Sequence, residues 1–190
     1  CGELREMLDI TLHTWDAVEA LGLKDPILVS HSMGGMIAAE MAAITPNDVS
    51  RLGLICPAGL WLDDHPIPDI FAMLPYELPA VLFHDVEAGT ALMTAGVALD
   101  DPEWLKGFLV QNARQMGMAG KILFPVPDRG LSQRLYRVKA KTVLVWGERD
   151  QLIIPAYAPE GKTAINGAAL APPPAAGHLT TRQKPAHLAT

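Results

Sequence analysis

Residues 27–44 read ILVSHSMGGMIAAEMAAI: a branched apolar run, a turn crowded with Ser30, His31, Ser32, Gly34 and Gly35, then an alanine-rich stretch that Pro46 ends. No other feature restricts the fold as much. Branched apolar residues favour a buried strand and the Ala/Met/Glu stretch favours a helix, so the small residues must carry the chain between them in a very short turn. Such a turn pushes one side chain out of the sheet and aims the free N–H groups of the helix's first turn at the same spot. In SHSMG the residue pushed out is Ser32, and the Met33 N–H is one of the free donors. Gly34 lets the helix start close by, and Ser30 is small enough for a position where bulk would clash. A serine hydroxyl is a poor nucleophile unless a base takes its proton, an acid orients that base and donors receive the oxyanion. Ser32 is therefore a candidate nucleophile and Met33 a candidate oxyanion donor. A small-x-Ser-x-Gly string arises by chance in about one chain in five of this length, so its surroundings must carry the assignment.

Those surroundings alternate. Leu4, Leu8, Leu12, Trp15 and Val18 recur at helical spacing over 3–21, and Gly22 stops the pattern. Short apolar runs at 26–30, 51–56 and 141–146 read as buried parallel strands. Helix, strand, helix, strand predicts the α/β class, with a mainly parallel sheet flanked by helices. From Gly59 to Lys139 the texture changes: Pro66, Pro68, Pro75, Pro79, Pro102, Pro125 and Pro127 interrupt apolar segments, which predicts short helices. Trp61, Phe71, Trp104, Phe108 and Phe124 exceed what a plain connection needs, so residues 59–139 are expected to form an inserted helical cap packed mostly on itself. The core would then comprise 1–58 and 140–190, closing with a helix over 156–165, a weak strand near 168–171 and the proline-rich APPPAAGH.

Composition excludes several partners. A formal charge of −6 with no local Lys/Arg cluster argues against nucleic acid and anionic lipid, and no apolar run reaches the length of a membrane helix. Cys1 and Cys56 lack metal-ligand spacing and are too few for a disulfide framework, so Cys56 is read as a small core residue. No metal or cofactor is implied, the expected partner is a small-molecule substrate, and neither compartment nor oligomeric state is indicated.

Two further stretches bear on the serine. In VLVWGERDQLIIP a strand ends at Gly147, and Asp150 follows just beyond its carboxyl end, where α/β proteins place functional groups. Asp150 could hold a base, with Glu148 as its rival. In AAGHLTTRQKP, His178 follows a glycine in the loop after the last strand and could be that base. Of the other histidines, His13, His65 and His84 have no such context, His187 is too near a helix-like end, and His31, lying between two serines, is expected to face away from a base role.

On SHSMGG, WGERD and GHLTTRQKP the chain resembles the capped members of the α/β-hydrolase superfamily, whose triad runs Ser, Asp, His along the sequence. The resemblance covers nearly all of the chain. It implies Ser32 as nucleophile, His178 as general base and then acid, Asp150 as orienting carboxylate, and Met33 N–H as oxyanion donor. Ser30 stands where the superfamily usually has glycine, and Gln183 where it often has glutamate. Superfamily members begin with several strands before the first helix here, one followed by a His-Gly element that completes the oxyanion hole. The chain is thus expected to be the C-terminal portion of a longer hydrolase, with an apolar edge exposed at 26–30. The expected activity is cleavage of a small, fairly apolar ester through an acyl-enzyme. The alternatives are carbon–carbon bond hydrolysis of aromatic ring-cleavage products and a non-catalytic binding protein with the same fold.

Overall fold

A computed structural model describes residues 4–94, 101–123, 130–172 and 174–188. Cys1, Phe124, Pro125 and Pro127 lie outside the described residues. Four strands, β1 (Ile27–His31), β2 (Arg51–Ile55), β3 (Lys141–Val145) and β4 (Ala169–Leu170), pair in parallel in the spatial order β1-β2-β3-β4. Spatial order equals chain order, and right-handed crossovers bring the helices that join β1 to β2 and β3 to β4 onto the same face of the sheet.

The register shows the consequence. Leu28, Leu52 and Thr142 share one row and Ser30, Leu54 and Leu144 the next, and the β2 and β3 members of both rows are buried. The opposite face carries Ile27, Arg51 and Lys141, then Val29, Gly53, Val143 and Ala169, and it is largely exposed. The sheet is parallel and flanked by helices as expected, and among the described residues the face away from Leu52 and Leu54 is the largely exposed one. The apolar edge is present, since Ile27 and Val29 of edge strand β1 are 60% and 66% exposed.

Two helices precede β2. α1 (Met7–Ala20) starts later than the sequence periodicity suggests, because the Asp9 carboxylate accepts the Arg5 and Glu6 backbone N–H groups and holds them outside the first turn. α2 (Met33–Ile44) lies on the covered face with Ala38, Ala39, Ala42 and Ala43 at most 3% exposed, so small side chains set its close approach to the sheet. α1 packs against α2.

Between β2 and β3 come α3 (Leu78–Leu82), α4 (Val86–Met93), α5 (Pro102–Leu123) and a 3₁₀ turn at Leu135–Arg137. Residues 59–77 form no helix, in keeping with Pro66, Pro68 and Pro75, but α5 is 22 residues long where short helices were expected. Its proline occupies the first helical position, where a missing N–H costs nothing. The Arg134 guanidinium donates to both carboxylate oxygens of the buried Glu40, at 2.7 and 3.2 Å, joining this segment to α2. α6 (Tyr157–Ala164) connects β3 to β4, and the short α7 (Thr180–Gln183) and α8 (Pro185–Leu188) follow. Among the described residues no helix is long and apolar enough to cross a membrane.

Candidate active site

Every parallel strand delivers its carboxyl end to the same rim of the sheet, and the loops there carry the candidate residues. Ser32 follows directly after β1 with φ 54° and ψ −121°, a conformation in which an L-residue is strained. The strain is held by neighbours: Ser32 N–H donates to Ile55 O at 3.0 Å, while Ser32 O accepts from Met36 N–H at 3.1 Å and Ala58 N–H at 3.0 Å. Met33, Gly34 and Gly35 precede that first helical bond, so their N–H groups have no partner within α2. Ser30 is tolerated, since a Cβ on Gly34 would sit 3.7 Å from its Cβ, an ordinary contact. Gly35 is the constrained glycine: a Cβ there would lie 2.9 Å from Pro57 Cβ.

Asp150 lies in the loop after β3 and is fully buried; its Oδ1 accepts the N–H groups of Leu152 and Ile153, both at 2.9 Å. Its Oδ2 accepts from His178 Nδ1–H at 2.8 Å. A carboxylate only accepts, so the proton of a neutral His178 is on Nδ1 and Nε2 is left bare. The Ser32 hydroxyl donates to that Nε2 at 2.8 Å. Residues separated by 146 and 28 positions thus form one continuous line from hydroxyl to carboxylate. Glu148, the rival acid, is exposed.

Close backbone approach makes the line possible. A Cβ on Gly147 would be 2.5 Å from Gly177 O and 2.6 Å from Ala176 O, so only glycine lets the loop after β3 lie against the loop carrying His178. Arg149 N–H donates to Ala176 O at 2.9 Å, and Gln183 Oε1 accepts from Gly177 N–H at 3.2 Å and His84 N–H at 3.1 Å. Gln183 therefore fastens this loop to the helical segment with its amide.

Two residues read as bystanders in the sequence lie against the line. His31 does not face away: its Nε2–H donates to the His178 carbonyl at 2.7 Å, and the two rings stand 4.8 Å apart at 47°. Burial, then the neighbouring His178, lowers its pKa and keeps the ring neutral. The usable signal was its place at the end of β1, on the face opposite Ser30. Cys56 is a core residue as expected, 0% exposed, but with φ 42° and against the same loops. Its Sγ accepts from Gly147 N–H at 3.4 Å and lies 3.6 Å from Thr180 Oγ1, whose own proton goes to Gly177 O. Burial and the nearby Asp150 push the thiol up to about 12.

The donor atoms of His31, Cys56 and His178 lie within 4.8 Å of one another, close enough to suggest a metal. They are already engaged: His178 uses both ring nitrogens, His31 Nε2–H is given to a carbonyl, and the thiol is held protonated. The cluster is a hydrogen-bonded network.

A narrow slot of about 70 Å³ opens onto Ser32 and Met33, walled by Met36, Ile67, Ile70, Phe71, Leu152 and Ile153. Apart from Ser32 its lining side chains are apolar.

A family model described as alpha/beta hydrolase fold matches residues 3–185. Among curated proteins, the chain is 29% identical over 152 residues to a 2-hydroxy-6-oxo-6-phenylhexa-2,4-dienoate hydrolase of Comamonas testosteroni, covering 72% of this chain and 50% of that protein. It is 29% identical over 150 residues to the monoacylglycerol lipase ABHD6 of Homo sapiens, covering 72% and 44%. The chain spans about half the length of these relatives. Among solved structures, a meta-cleavage product hydrolase (CumD) of Pseudomonas fluorescens IP01 superposes with a TM-score of 0.69 at 18% identity, covering 96% of this chain and 68% of that one.

Proposed function

The chain belongs to the α/β-hydrolase family, and on that premise we propose that it is the part of a serine hydrolase that carries the nucleophile, base and acid, acting on a small, fairly apolar ester. The observation that carries the reading is the unbroken line Ser32 Oγ, His178 Nε2, His178 Nδ1, Asp150 Oδ2, with 2.8 Å at each hydrogen bond.

In this reading Ser32 Oγ attacks the ester carbonyl carbon while its proton passes to His178 Nε2. Asp150 stabilises the imidazolium so formed, and the Met33 N–H receives the developing oxyanion. Collapse of the tetrahedral intermediate breaks the carbon–oxygen bond, and His178 returns the proton to the leaving alcohol. Water then attacks the acyl-Ser32 carbonyl, giving its proton to His178, and the acid departs as Ser32 recovers that proton. Ile67, Ile70 and Phe71 of the slot wall belong to the inserted segment 59–139, which acts here as a cap holding the acyl group out of water.

Two relatives suggest different substrates. A monoacylglycerol is a neutral ester, whereas a dienoate carries a carboxylate that needs a cationic or donor-rich partner. No Lys or Arg is among the described residues lining the slot, which favours the neutral ester. Carbon–carbon bond hydrolysis is the second reading, supported by the likeness to the dienoate hydrolase.

The test is covalent. Treating the protein with a fluorophosphonate should label wild type at Ser32 and leave Ser32→Ala unlabelled; equal labelling of both, or none of either, refutes the nucleophile and favours a binding protein. Turnover of 4-nitrophenyl butyrate against a 2-hydroxy-6-oxo-dienoate then separates the two substrate readings.

A further inference from the structure

We propose that His31 is a positioning residue for the base: by donating its Nε2–H to the His178 carbonyl it ties the loop that carries His178 to the turn that carries Ser32. The proposal rests on Ser32 and His178 being nucleophile and base.

Ser32 is fixed through β1 and α2, which belong to the sheet and the core. His178 lies in a loop between β4, two residues long, and α7, four residues long, so its own secondary structure holds it weakly. The loop is held by contacts from elsewhere: Arg149 N–H onto Ala176 O, Leu179 N–H onto Leu82 O, Gln183 Oε1 accepting Gly177 N–H, and Asp150 Oδ2 accepting His178 Nδ1–H. None of these refers His178 to Ser32. The Ser32–His178 hydrogen bond does, but it must be broken and remade at each proton transfer.

His31 supplies a reference that persists through the reaction. It is the last residue of β1, paired in register with Ile55 of β2 and bonded covalently to Ser32. A carbonyl oxygen only accepts, so His31 Nε2 must carry the proton, and the 2.7 Å bond lands on the backbone of the residue whose ring is the base. The same carbonyl accepts Thr180 N–H at 2.8 Å, so its position is defined from two directions. The His31 bond thus holds the backbone of the residue whose Nε2 stands 2.8 Å from Ser32 Oγ. The ring must also stay neutral, because a second cation 4.8 Å away would oppose the imidazolium formed on His178. Its buried setting provides for that.

The experiment compares His31→Phe, which keeps a ring and removes the donor, with His31→Gln, whose amide N–H has comparable reach; His31→Met serves as a second donor-free variant should the phenylalanine fail to fold. The readouts are the rate of fluorophosphonate labelling at Ser32 and, for a 4-nitrophenyl ester, kcat and KM separately. The expected result is a loss of about 10- to 100-fold in labelling rate and kcat for the donor-free variants, with KM little changed, and recovery of most of it in His31→Gln. A folded donor-free variant labelling at the wild-type rate overturns the positioning role, as does a glutamine variant as slow as the donor-free ones. Labelling that survives Ser32→Ala overturns the triad beneath it, a result the His31 variants cannot mimic.

Discussion

Replacing Asp150 by asparagine changes one atom and forces a choice on the site. The aspartate accepts at both oxygens: Oδ1 from the Leu152 and Ile153 N–H groups at 2.9 Å, and Oδ2 from His178 Nδ1–H at 2.8 Å. An asparagine has one acceptor and one donor end. Keeping its oxygen on the two backbone N–H groups sets its NH₂ against His178 Nδ1, which must then shed its proton and accept. The proton of the neutral ring moves to Nε2, and Nε2–H faces Ser32 Oγ as a donor where a base is required. The opposite orientation sets an NH₂ against two backbone N–H groups at buried depth, at a cost of about 1–3 kcal/mol for each unsatisfied group, so the first is preferred. Acylation is therefore expected to fall by about four orders of magnitude, or about 5 kcal/mol of barrier, the size seen when the same change inverts the tautomer in serine proteases. Because the backbone bonds to Oδ1 persist, the fold should survive with a loss of about 1–3 kcal/mol. Mass spectrometry of the Ser32 peptide during fluorophosphonate treatment gives the rate, and circular dichroism melting gives the stability. A folded Asp150→Asn labelling within tenfold of wild type would refute the orienting role, and Glu148→Gln, changing an exposed carboxylate, should stay within about twofold.

The Cys56 thiol, pushed up to about 12, is about one part in ten thousand thiolate at pH 8. Iodoacetamide should therefore leave the Cys56 peptide unmodified until the protein is unfolded, and ready alkylation of the native protein counts against this burial. Gly35→Ala drives a Cβ to within 2.9 Å of Pro57 Cβ and 3.0 Å of its Cα, expected to cost about 1–3 kcal/mol and to lower Tm by several degrees. An unchanged Tm would mean that α2 can move away from Pro57 freely. His31 has its pKa lowered in the fold from 6.5, so the unfolded chain takes up a proton there before the folded one does. Stability is complete above about pH 6.5 and falls below it by at most about 1.4 kcal/mol per pH unit, until the folded ring itself protonates. Urea midpoints measured from pH 7 to pH 5 should fall less steeply in His31→Gln than in wild type, and parallel slopes refute the assignment.

Local pattern was enough for the parts that depend on near neighbours. The apolar run, small turn and alanine stretch of 27–44 already require a strand–turn–helix, since propensity, glycine placement and Pro46 all act within a few residues, and the structure has β1, Ser32 and α2 there. The order of the candidates Ser32, Asp150 and His178 along the chain, each in the segment that follows a strand, was also legible, because parallel strands send their carboxyl ends to one rim. Pattern failed where the deciding partner is remote. Glu148 and Asp150 share one loop, and only its packing against 174–178 turns one inward and leaves the other in solvent. Gly34 looked like the necessary glycine until Pro57 came to rest on Gly35. His31 looked idle because the carbonyl it binds is 147 residues further along the chain. Which face of the sheet the helices cover was not legible, since strand order, which no single segment encodes, decides where the helices cross. The sequence by itself determined the strand–turn–helix and which side chains are candidates. The tertiary structure alone decided which of those groups meet, because a hydrogen bond of 2.8 Å joins atoms whose separation in the chain bears no relation to their separation in space.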